Sequence, residues 1–193
     1  MQLDNDPALF SNQEGQYISL NPVPLGGDLS FSWWGHFDKF FKHTRIFDFG
    51  DNANDDNLIL FNDGWTQHII TTMWVGNVEV GAATDPSVTA LDTDVHLVVT
   101  VSSTLLVLYV NGAQVQSDTM SAPLPTFQRV YHWLGKSLWQ NLDHFFDGWM
   151  QAFSVYKREL SANDVTDLYN KGINNPCYVL DGRPVNIMCV ILR

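Results

Sequence analysis

Leu106-Val107-Leu108-Tyr109-Val110-Asn111-Gly112-Ala113-Gln114-Val115-Gln116 decides the fold. Two β-prone runs flank an Asn-Gly pair, and that pair readily takes the positive φ angles of a type I′ turn, so a tight antiparallel hairpin follows. Upstream, His96-Leu-Val-Val-Thr-Val101 pairs with Thr104–Val110 through Ser102-Ser103. The same grammar of short alternating strands and turn residues extends in both directions. Leu29, Phe31 and Trp33 alternate with Ser30, Ser32 and Trp34 between Asp28 and Phe37. Arg45–Gly50 alternates again, with Ile46 set opposite Phe47 and Phe49, before an Asp/Asn-rich loop (51–57) and the apolar run Leu58–Phe61. Gly15–Leu20, the β-rich stretch Thr66–Val80, Tyr131–Gly135 and Gly148–Lys157 supply further strands. One helix is expected: Ser161 as N-cap, Asp164 closing a capping box, an apolar stripe of Val165, Leu168 and Tyr169, and Gly172 as stop. It is read as a lid on the sandwich edge.

The composition fits this reading. Hydrophobic residues make up 45% of the 193, aromatics 13%, and charged residues only 16%, which leaves a polar surface of amides and hydroxyls. The net charge of −11 comes from eighteen Asp against three Glu, and Asp is a turn residue and a hard-cation ligand. With that charge and no Lys/Arg run, nucleic acid is excluded as a partner. No apolar run reaches the ~20 residues of a membrane span, and Met1-Gln-Leu-Asp-Asn-Asp does not read as a signal peptide. Cys177 and Cys189 lie close together in a tail (173–193) that is read as an edge strand or a subunit contact, separate from a sandwich over 1–172. A disulfide between them stays open.

Four stretches in order carry a resemblance: Leu29-Ser-Phe-Ser-Trp-Trp34; Arg45–Gly50 with its Asp/Asn loop; His96–Val101 through Leu106–Gly112; and Leu134-Gly135, Phe146-Asp-Gly148 and Phe153–Tyr169. Together, over roughly 14–172, they resemble the laminin-G-like jelly-roll family of the concanavalin A-like lectin/glucanase superfamily. The resemblance implies an all-β, two-sheet antiparallel jelly-roll sandwich with one short helix near the C-terminus. Its ligands would sit at loops or on a concave face. It does not choose among lectins, adhesion modules, calcium binders and glucan hydrolases. One departure is Gln151, where the family usually carries an acid.

Catalysis fails on spacing. A retaining glycosidase needs two carboxylates about 5 Å apart, and laminarinase-like relatives place them on one strand as Glu-x-Asp-x-(x)-Glu. Here the three Glu stand at 14, 79 and 159, and Asp92-Thr-Asp94 has no third acid. No Gly-x-Ser-x-Gly elbow and no zinc spacing occurs. His36 and His43, flanking Phe37, Phe40 and Phe41, read as ordinary histidines.

Two candidate sites remain. Asp51, Asn52, Asn54, Asp55 and Asp56 offer oxygens over a short stretch, as a calcium loop or as a solvated turn. Trp139, Gln140, Asn141, Asp143 and His144, with Trp65 and Trp74, combine aromatic platforms with planar polar groups suited to a pyranose. Trp33, Trp34, Trp133 and Trp149 fall on strands and are assigned to the core. The expectation is a non-catalytic module that binds a glycan or glycoprotein, with calcium assistance left open, outside the cell or on a particle surface. The alternative is a structural or attachment protein of a virus or other particle, a homo-oligomer using the Phe37–Phe41 loop and the apolar tail as contacts.

Overall fold

The computed structural model describes residues 8–12, 15–85, 90–172 and 186–191. Two antiparallel sheets stack over one core. The first runs β1 (Ala8–Phe10), β14 (Gly148–Tyr156), β4 (Leu29–Phe37), β9 (Val95–Val101), β10 (Leu105–Val110), β11 (Ala113–Thr119). A tail strand, β15 (Asn186–Ile191), takes the same edge of β14 as β1: β1 pairs with 148–150 and β15 with 152–156. The second sheet runs β2 (Ile18–Ser19), β13 (Tyr131–Leu134), β5 (Arg45–Gly50), β6 (Leu58–Asn62), β7 (Ile69–Val75), β8 (Val78–Thr84), and a two-stranded ribbon joins β3 (Pro24–Leu25) to β12 (Phe127–Gln128). This is the expected jelly-roll sandwich.

The deciding hairpin forms as read. Asn111 and Gly112 have φ of 50° and 80°, and β10 pairs with β11 on either side of them. Inward residues of the first sheet (Leu29, Phe31, Trp33, Leu97, Val99, Leu106, Phe153) meet those of the second (Phe47, Phe49, Leu58, Leu60, Met73) in one buried cluster. Phe31 stacks on Phe47 with ring centroids 4.7 Å apart. Strand β5 departs from simple alternation: its register shifts between Arg45 and Phe47, so Ile46 and Phe47 are both fully buried. The bulge turns Arg45 and Asp48 onto the outer face, where the site lies.

The helix α1 (Ala162–Lys171) has the expected cap: Ser161 Oγ accepts the Asp164 N–H, and the Asp164 carboxylate accepts the Ser161 N–H. It lies over the outer face of the first sheet rather than its edge. Val165 and Leu168 pack with Val98, Val107, Tyr109 and Tyr156, and Tyr169 stacks on Trp34 at 5.7 Å. Of the four tryptophans assigned to the core, only Trp33 enters the cluster between the sheets. Trp133 is buried on the outer face of the second sheet, while Trp34 and Trp149 are half-buried against Tyr169 and His36. An aromatic on a strand points to one face or the other with equal ease, and large rings stacked on the outside are buried by their neighbours. Cys177 lies outside the described residues, and so therefore does the question of a disulfide. Among the described residues, no helix is long and apolar enough to cross a membrane.

Two fully enclosed histidines set an acid limit on stability. Burial lowers His96 to about 3, and burial with the nearby Arg129 charge lowers His132 to about 4, from an ordinary 6.5. His132 lies flat on Phe49 at 4.4 Å with neither ring nitrogen bonded. The unfolded chain takes up protons on both rings near pH 6.5, and the folded chain does so only much lower. Their contribution is therefore intact above pH 6.5 and lost as pH falls toward 4. Urea unfolding is expected to lose on the order of 2 kcal/mol per histidine across that window. His132→Phe is expected to flatten the profile without loss at pH 7.

Candidate functional site

The long connection from β13 to β14, residues 135–147, crosses the outer face of the second sheet beside the β4–β5 connection, residues 38–44. One backbone bond, from His144 N–H to Lys42 O (3.0 Å), ties the two. Asn62, buried at the end of β6, holds a third loop to them. Its Oδ1 accepts the Thr44 N–H and hydroxyl (2.7 and 2.6 Å), and its Nδ2 donates to the carbonyls of Phe41, Gly64 and Thr66. This pins the turn that carries Trp65 against the Phe41 loop. Trp65, 61% exposed, then meets the His144 ring edge-on at 5.0 Å, and His144 stacks on Phe41 at 5.6 Å.

Beneath the crossing segment lies a buried charge network. The Arg45 guanidinium donates from Nη2 to Asp143 Oδ2 (2.8 Å) and from Nη1 to the His43 carbonyl (2.8 Å), and its Nε stands 3.5 Å from Asp48 Oδ2. It is sandwiched between the Phe61 ring at 4.4 Å and the Trp139 ring at 5.2 Å. Asp48 is fully enclosed and accepts the Leu138 N–H and the Asn57 amide, while Asp143 also accepts the Ser137 hydroxyl. Burial pushes the Asp48 carboxyl up and the Arg45 guanidinium down, and each charge opposes the other's shift.

Two openings meet at Asp143. One, with about 430 Å³ of open space, is lined by Lys136, Ser137, Gln140, Asn141, Asp143, His144 and Phe145. The other, about 540 Å³, is lined by Lys42, His43, Arg45, Phe61, Trp139, Leu142 and Asp143. The structure thus brings together six of the seven residues singled out for a ligand: Trp139, Gln140, Asn141, Asp143, His144 and Trp65. The seventh, Trp74, stands apart on β7; its Nε1 donates to Thr72 Oγ1 (3.2 Å), and it lines neither opening. Asp143 contributes differently than its amide neighbours, since its carboxylate is already taken by Arg45 and Ser137. Arg45, Phe61 and Asn62 escaped the sequence reading. The only trace of them there is a basic residue and an amide where a strand meets its loop.

The 51–56 residues form the β5–β6 turn, with φ of 56° at both Asn54 and Asp56. Asp51 Oδ1 accepts the Val130 N–H and Asp56 Oδ1 the Gly76 N–H, while Asn52 Oδ1 accepts the Ala53 N–H. Buried Arg129 donates from Nε to the Asp56 carbonyl, placing a cation of the chain itself beside Asp51 and Asp56. Among the described residues, the group that brings three metal-binding side chains together is instead His36, Asp38 and Asp92. Asp92 and Asp94, the pair weighed as catalytic, flank His36 at 3.7 and 3.5 Å.

Removing the Arg45 charge strands Asp48. Arg45→Met is expected to cost roughly 3–5 kcal/mol in denaturant unfolding. Arg45→Met combined with Asp48→Leu is expected to recover much of that loss, because no buried charge is then uncompensated.

The family model described as the concanavalin A-like lectin/glucanases superfamily matches residues 12–166. No curated protein sequence matches the chain. Among solved structures, domain 4 of AbnA, an extracellular arabinanase from Geobacillus stearothermophilus determined with arabinotriose, is similar at TM-score 0.67 and 21% identity. That match covers 79% of this chain and 72% of that one. The CBM40 module of a Ruminococcus gnavus IT-sialidase, bound to α2,3-sialyllactose, is similar at TM-score 0.63 and 9% identity, over 79% and 98% of the two chains. A heptameric pentraxin from Limulus polyphemus follows at 0.58 and 13%, over 84% and 79%. At such identities the likeness is one of fold.

Proposed function

The chain belongs to the concanavalin A-like lectin/glucanases superfamily, and from that premise we propose that it is a non-catalytic carbohydrate-recognition module. The observation that carries the reading is the assembly of Trp139, Trp65, His144, Gln140 and Asn141 around the two openings at Asp143. An indole face covers the apolar C–H face of a pyranose, and exposed amides exchange hydrogen bonds with its hydroxyls. Relatives of the same fold were solved with arabinotriose and sialyllactose, which supports the ligand class. Binding rather than hydrolysis is supported by the state of the nearby acids. Asp48 is enclosed and Asp143 is held by Arg45 and Ser137, so neither is presented as an acid/base or nucleophile. A place outside the cell or on a surface accords with that role.

The alternative of a particle-assembly unit drew on the Phe37–Phe41 loop. Phe37 is buried against Phe40 and Phe146, and Phe41 lies on His144, so these rings already have partners within the chain. A stable monomer in light scattering supports the recognition reading, and a glycan-indifferent oligomer supports assembly. Calcium assistance at 51–56 is the least supported part of the reading, because Asp51 and Asp56 serve backbone N–H groups and Arg129.

On an array of neutral and acidic glycans, the protein is expected to bind a defined subset. Trp139→Ala or Trp65→Ala is expected to weaken the best binder about tenfold, the worth of one aromatic contact. Binding is expected to be unchanged by EDTA. No glycan signal from a folded monomer would remove the proposal.

A further inference from the structure

Beyond the indole of Trp139, a second group of aromatic rings stands on the same outer face. Tyr17 meets Trp133 edge-on at 5.7 Å and Phe145 at 6.3 Å, and Tyr131 lies 4.8 Å from Trp133. Trp133 is the buried floor, whereas Tyr17 and Tyr131 are 42% and 38% exposed and Val130 beside them 58%. The Lys136 ammonium is held at the joint, 4.1 Å from the centroids of both Tyr17 and Trp133. This platform is continuous with the proposed site, because Lys136 and Phe145 also line the opening that holds Gln140, Asn141 and His144.

The charge here runs against the rest of the chain. With 21 acids against 10 bases, a lysine has many available partners, yet neither Lys136 nor Lys42 forms an ion pair among the described residues. Asp143, the acid shared by both openings, is occupied by Arg45. An ammonium with no counter-ion among the described residues, fixed beside exposed rings at the end of a polar opening, is matched by one ligand chemistry. That ligand is a sugar whose ring lies against the tyrosines and whose anionic substituent meets the lysine.

Resting on the carbohydrate reading, we propose that Tyr17, Tyr131, Trp133 and Lys136 form a second subsite that takes an acidic sugar unit. The ligand is then an anionic oligosaccharide that spans both Trp139 and Tyr131. Carboxylated and sulfated sugars share the required chemistry.

The test compares, on one array and then by calorimetry, neutral, carboxylated and sulfated glycans of increasing length. The strongest binders are expected to be acidic, by roughly tenfold over their neutral counterparts, with the advantage shrinking as salt rises. Whether uronic and sialic acids or sulfate esters dominate identifies the anion. Lys136→Met is expected to erase the acidic advantage, so that acidic and neutral glycans of equal length bind the variant alike. Tyr131→Ala, at an exposed position, is expected to weaken long ligands and spare short ones, with thermal unfolding confirming that both variants fold. Equal affinity for acidic and neutral glycans, or an acidic preference that survives Lys136→Met, overturns the subsite. If neutral glycans bind through Trp139 without that preference, only this inference falls. If no glycan binds, the recognition reading falls with it.

Discussion

A single buried cation organises the functional face. Arg45 opens a strand whose inward residues, Ile46, Phe47 and Phe49, are apolar, and it would be costly to enclose if it were alone. It is tolerated because Asp48, Asp143 and the His43 carbonyl meet its nitrogens, and Phe61 and Trp139 meet its two faces. The same contacts fix the segment 135–147 to the sheet, since Asp48 also takes the Leu138 N–H and Asp143 the Ser137 hydroxyl. A planar guanidinium with five donors suits this task. Its in-plane donors join three chain segments while its faces stay free for the two rings, which a lysine ammonium does not allow. Asn62 does the matching work for the neighbouring loops, converting four backbone groups and a hydroxyl into one rigid corner.

The two sheets divide labour by what covers their outer faces. On the first sheet, α1 covers Val98, Val107, Tyr109 and Tyr156, and Trp34, His96 and Tyr169 stack beside it. On the second sheet, the cover is a loop that carries indole, amide and imidazole groups. That loop leaves openings on both sides of Asp143 instead of sealing the face. The bulge at Ile46 makes this arrangement possible. By tucking two consecutive residues into the core, it restores Arg45 and Asp48 to the same outer side.

The sequence alone determined the local chemistry. Asn111-Gly112 forms its turn because only a few residue types accept two positive φ angles in succession. Ser161 and Asp164 cap the helix because an N-cap bond is made within four residues. Alternating apolar side chains on β4, β9 and β10 mark a strand with one face in the core. It also brought Trp139, Gln140, Asn141, Asp143 and His144 to notice, because they lie within six consecutive positions of the chain. The tertiary structure decided everything that depends on residues far apart in sequence. Arg45 is separated from Asp143 by 98 positions and Asp51 from Val130 by 79, so no local pattern announces either contact. The same holds for which face of a strand Trp133 or Trp34 occupies, and for whether Trp74 joins the other indoles. Side-chain period fixes that successive residues point apart; only the packing of one sheet on another fixes which side is inside.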